Sequence, residues 1–115
     1  RVRANPGALR SDQREAVAWA RVQVEMLRKH VSRRLSERLD GIDHGPDGSI
    51  DKLLMTWVEQ AVGAAALAVS GAGAVTDTED VALKTYLYSR AQSVMGGTSQ
   101  VQKNIIATRI LGLPA

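Results

Sequence analysis

At 115 residues and 12.4 kDa the chain has single-domain length, enough for one hydrophobic core. Its 44% hydrophobic and 23% charged content is that of a folded globular domain rather than a disordered one, and with no cysteine it has no disulfides, thiolate metal sites or thiol nucleophiles. The formal charge of +3 is an excess that solvated surfaces commonly carry, and 3% aromatic residues provide no stacking platform, so nucleic acid is not an expected partner.

Residues Asp12 to Leu39 place Val17, Ala20, Val24, Leu27, Val31, Leu35 and Leu39 at steps of three and four, which predicts a long amphipathic helix. Asp12 and Glu15 have capping-box spacing at its start, and Gly41 stands where it should stop. Arg14, Arg21, Arg28, Arg34 and Arg38 fall opposite the stripe and read as a solvated or interface face. The stretch DGIDHGPDGS, Asp40 to Ser49, is a surface loop in which His44 reads as solvated. Two histidines, His30 and His44, are too few for a metal cage, so no metal is expected.

Ser49 can cap a second helix to about Ser70, with Leu53, Leu54, Trp57, Val58, Ala61, Val62, Ala65 and Ala68 on its apolar face. Its later half is nearly all small residues, which suits close helix packing better than a ligand. Gly71 and Gly73 end it, and Thr76 with Glu79 predicts a capping box for a third helix to about Met95, with Val81, Leu83, Leu87, Ala91 and Val94 inward. Gly96 and Gly97 stop that helix, and a fourth begins at Thr98 or Ser99 and ends at Gly112. Two glycines followed by two hydroxyl residues at a helix start suit a phosphate or a polar cofactor, although every helix N-terminus shares that geometry. The expected fold is all-α, a four-helix bundle occupying 1–115. No secretory signal and no run of membrane-spanning length is read, which makes a cytoplasmic location and no membrane contact the expectation. Arg1 in place of Met suggests a fragment of a longer chain.

The C-terminal stretch LYSRAQSVMGGTSQVQKNIIATRILGLPA, Leu87 to Ala115, resembles the closing segment of acyl-CoA dehydrogenases, most specifically in GGTSQVQKNII. The arginine-rich helix and PDGSIDKLLMTWVEQAVGAAAL, Pro46 to Leu67, resemble the last helical domain of the same family, particularly its actinobacterial members. The resemblance implies the C-terminal helical domain of an FAD-dependent enzyme that desaturates an acyl-CoA thioester and passes electrons to an electron-transfer flavoprotein. Thr98 and Gln100 match residues whose hydroxyl and amide hydrogen-bond FAD, and Gly97 matches the glycine beside the acyl-CoA. Many members place the catalytic glutamate where Gly96 stands; glycine cannot abstract a proton, so this chain supplies no catalytic residue, and other members carry the base on an earlier helix. Alone, the chain is expected to be inactive.

Ala68 stands at the glutamine position of a second flavin-approaching segment, AVSGAGA from Ala68 to Ala74, and Ala72 replaces one of its glycines, which puts that contact in doubt. The family assembles through this domain, so a homo- or hetero-oligomer is expected. The competing reading is a non-catalytic assembly subunit or a standalone interaction bundle without flavin chemistry.

Overall fold

The computed structural model describes residues 9–114. α1 spans Ser11–Leu39, and it begins with the Arg10 N–H donating to the Gln13 side-chain oxygen at 3.0 Å. The amide nitrogen of the same side chain donates to the Ala68 carbonyl at 2.7 Å. Gln13 is therefore buried while it caps one helix and ties it to the next. This corrects the Asp12–Glu15 capping box. Asp12 instead makes an exposed pair with Arg10 at 2.8 Å, and that hydrogen bond holds its carboxyl below the usual value.

A single tight turn at Gly45–Asp47 leads into α2, Gly48–Ser70, so Ser49 is buried in the first helical turn rather than capping it. α2 is the axis of the fold and packs against α1, α4 and α5. The stretch Gly45–Ser70 is long and apolar enough to cross a membrane by length and composition alone, with an 18-residue window of mean hydropathy 1.4, which corrects the expectation that no such run exists. Only 28% of that window is buried, so α2 is a central helix that α1, α4 and α5 cover incompletely.

The small residues of α2 serve packing, as expected. A Cβ at Gly63 would lie 3.1 Å from the Tyr86 Cα and 3.2 Å from the Ser89 Oγ of α4, so the two backbones meet where a side chain is missing. Lys52 donates to the Gln92 carbonyl at 2.7 Å and Gln60 to the Ser89 carbonyl at 3.3 Å along the same seam.

α2 breaks at Gly71, whose φ of +79° suits glycine, and the chain restarts at once as the short α3, Ala72–Thr76. The Thr76–Glu79 capping box is corrected. Asp80 caps α4, Val81–Ala91, by accepting from the Ala82 and Leu83 N–H groups at 2.7 and 3.3 Å. α4 ends at Ala91 rather than Met95 because residues 92–96 tighten into turns that lead into two left-handed glycines. α5, Ser99–Ile105, continues as a π-helical turn over Ile106–Ile110 that rests against the Gly45–Asp47 turn.

The all-α class and the four principal helices are those expected, and the described residues contain no strand. The core is thin: Ala20, Leu53, Val58, Ala65 and Ala74 are its buried apolar side chains. The inward rows read from periodicity are only partly covered. Val31 and Leu35 of α1, Trp57 of α2 and Val81 and Leu87 of α4 are each more than half exposed. α1 and α4 flank α2 without closing over it, and a groove floored by Val62 and Ala66 runs between Val17 and Val24 on one wall and Thr85 and Tyr88 on the other.

Candidate functional site

The site implied by the family resemblance is the turn that joins α4 to α5. Gly96 and Gly97 adopt φ of +66° and +97°, a region that L side chains rarely enter, which explains the glycine pair. Thr98 is the N-cap of α5, and its Oγ accepts from the Val101 N–H at 3.2 Å, leaving the hydroxyl proton free to donate elsewhere. The Ser99 N–H is already engaged by the Ser93 carbonyl at 3.0 Å. Gln100 is exposed in the first turn of the helix, and among the described residues its carboxamide makes no hydrogen bond. Gly97, Thr98 and Gln100 therefore lie together on one short turn, and Gly96 opens onto empty space with nothing within 4 Å of a Cβ built there. Neutral donors and acceptors of this kind fit sugar hydroxyls and a pyrophosphate edge, so the residues present are chemically compatible with part of an FAD site.

Gln102 is a residue of this turn that the pattern reading passed over. It is buried, and its amide nitrogen donates to the Gly96 carbonyl at 3.1 Å. The signal was weak in the sequence: a glutamine between Val101 and Lys103 reads as an ordinary surface position.

A second constellation joins α1, the 40–47 loop and the start of α2. Arg34, predicted on the solvated face, is instead buried and reaches Asp47 at 3.1 Å and Asp51 at 3.3 Å. The His30 Nε2 meets the same carboxylate oxygen, Asp51 Oδ1, at 2.6 Å. Burial pushes the Asp51 carboxyl upward, but the His30 hydrogen bond and the Arg34 charge together outweigh it and hold the group below its usual value. His44, expected to be solvated, is nine-tenths buried, with Glu37 at 3.2 Å and Asp47 at 3.8 Å, because the loop folds back on α1. Among the described residues no three His, Asp or Glu side chains converge as metal ligands. The alternation of opposite charges makes this cluster a fastening between α1 and α2.

The groove between α1 and α4 holds one unmatched group, Glu59, whose Oε2 is buried without a hydrogen-bond partner. A buried acceptor left unpaired costs about 1–3 kcal/mol. Glu59→Met is therefore expected to stabilise the chain by about 1 kcal/mol and to raise its melting temperature by about 5 °C, as read by thermal unfolding.

The fold is an all-α helical domain, and comparison with known proteins gives its family. Residues 3–111 match the family described as acyl-CoA dehydrogenase, C-terminal domain, and the chain belongs to that family. It is similar to acyl-CoA dehydrogenase IpdE1 of Mycolicibacterium smegmatis, 38% identical over 57% of this chain and 18% of the relative. The IpdE1 of Mycobacterium tuberculosis is 39% identical over the same shares, and acyl-CoA dehydrogenase FadE34 of that organism is 33% identical over 73% of this chain and 12% of its own length. The chain thus spans less than a fifth of the length of these relatives. No solved structure matches it significantly.

Proposed function

We propose that this domain serves as the C-terminal helical part of an FAD-dependent acyl-CoA dehydrogenase, where it contributes contacts to the cofactor and surfaces for assembly. FAD, when bound, supplies hydride acceptance for α,β-desaturation of the acyl-CoA thioester. The chain's own residues bind and orient: the Thr98 hydroxyl donates, the Gln100 carboxamide both donates and accepts, and the Gly97 backbone stands beside the acyl-CoA. The observation that carries this reading is the free, exposed Gln100 carboxamide in the first turn of a helix whose start is capped by Thr98. Gly96 carries no proton-abstracting group, so the base lies elsewhere in the enzyme, and electrons pass from the flavin to an electron-transfer flavoprotein.

Assembly is supported by the thin core and by the open groove between α1 and α4, whose lining exposes Val24, Val62 and Tyr88. Exposed apolar surface of this kind favours contact with another domain or subunit, in a homo- or hetero-oligomer. The same surface also supports the reading of a non-catalytic assembly subunit, and a yellow full-length protein separates the two.

In the full-length enzyme, Gln100→Ala is expected to weaken FAD binding about two- to tenfold with little change in the melting temperature of the apoprotein, because the residue lies outside the cap. Thr98→Ala should lower both, since loss of an N-cap costs about 1 kcal/mol. Reconstitution of the apoprotein followed by flavin fluorescence, alongside thermal unfolding, checks the pair. Unchanged FAD affinity in Gln100→Ala would refute the cofactor reading.

A further inference from the structure

We propose that Gln102 is a positioning residue for the cofactor turn, holding the Gly96 carbonyl so that Gly97, Thr98 and Gln100 keep a single orientation; the inference rests on the FAD reading of that turn. Two consecutive glycines have wide backbone freedom, and a turn built from them samples many orientations unless another group restrains it. Here the restraint comes from behind. Gln102 is 8% exposed, one helical turn beyond Thr98, and its amide nitrogen donates to the Gly96 carbonyl at 3.1 Å. The fit is tight on the far side as well: a Cβ at Gly97 would lie 2.5 Å from that nitrogen, so the carboxamide occupies the space a side chain would take. No heavy atom comes within 4 Å of a Cβ built on Gly96 itself. With the Ser99 N–H on the Ser93 carbonyl at 3.0 Å closing the turn from its other end, this donor holds the Gly96–Gly97 peptide, and with it the direction in which the Thr98 hydroxyl and Gln100 carboxamide are presented.

The requirement is specific. It calls for a neutral donor about as long as glutamine, because a shorter side chain cannot reach the carbonyl and an ionised carboxylate would repel it. A glutamic acid at position 102 restores the donor only when protonated, and burial beside a carbonyl oxygen favours the protonated form. This gives a pH signature that loss of packing alone would not produce.

The test measures FAD affinity and apoprotein melting temperature in the full-length enzyme for Gln100→Ala, Gln102→Met and Gln102→Glu, at pH 8 and pH 5. Gln102→Met, similar in size but without the donor, is expected to weaken FAD binding about three- to tenfold. Gln102→Glu should match the Met variant at pH 8 and recover most of the parent's affinity at pH 5, each value being taken relative to the parent at the same pH. Weakened binding in Gln100→Ala with parent-like affinity in Gln102→Met overturns the positioning role and leaves the cofactor reading standing. Parent-like affinity in Gln100→Ala removes the cofactor reading itself. Should Gln102→Met fail to fold, the Glu variant decides by itself: a relative affinity that does not change between pH 8 and pH 5 overturns the proposal.

Discussion

Replacing Arg34 with Met is expected to destabilise the chain by about 3 kcal/mol, a large part of the stability available to a domain of this size. The guanidinium side chain is 10% exposed and is shared between two carboxylates, Asp47 and Asp51, that are each about one-third exposed. Removing it leaves two half-buried acids facing each other, and their remaining contact with water keeps the cost at the lower end of that for broken buried pairs. Urea unfolding at pH 7 measures the loss.

The effect also has a defined pH dependence. The Asp51 carboxyl is held below its usual value in the folded chain, so the stability it contributes is present above the ordinary carboxylate range and is lost as the pH falls through its lowered folded-state value. The gap between parent and Arg34→Met should therefore narrow below about pH 4, where Asp51 in the unfolded chain takes up its proton while the folded parent resists it. A gap as wide at pH 3 as at pH 7 would show that the arginine acts through packing alone.

Gly63→Leu should be comparably severe. The missing Cβ faces a backbone atom of α4 at 3.1 Å, which cannot rotate away as a side-chain tip could. Four added carbons force α2 and α4 apart and break the Lys52 and Gln60 hydrogen bonds that run along the same seam. Overpacking of this kind costs about 3 kcal/mol, and because the core is thin there is little other buried surface to absorb the shift. Gly63→Ala separates two opposing terms, since alanine gains about 1 kcal/mol over glycine in a helix interior while crowding Tyr86 by a few tenths of an ångström. Chemical denaturation of both variants is expected to place Ala within about 1 kcal/mol of the parent and Leu far below it.

The amino-acid sequence alone determined the helical class, the places where the chain turns and the position of the glycine turn before α5. Hydrophobic steps of three and four residues and runs of glycine act locally, so α1, α2 and α5 lie close to where periodicity put them, and Thr98 caps α5 as read. Caps held by other side chains were less legible. Asp80 took the role assigned to Thr76, and Gln13 took the reach-back role assigned to Glu15 with Arg10 in place of Asp12 as N-cap, because several polar residues near a helix start compete and the packed position selects among them. What only the tertiary structure decided depends on distance across the fold. Periodicity shows which side of a helix is apolar but not whether anything covers it, so the exposure of Val31, Leu35 and Leu87 could not be read from spacing. Arg34 looked like one more member of a basic row until Asp47 and Asp51 closed on it from a loop and a second helix. Gln102 became a candidate determinant only when two left-handed glycines folded back onto its side chain, since a hydrogen bond to a carbonyl six residues away leaves no periodic trace in the chain.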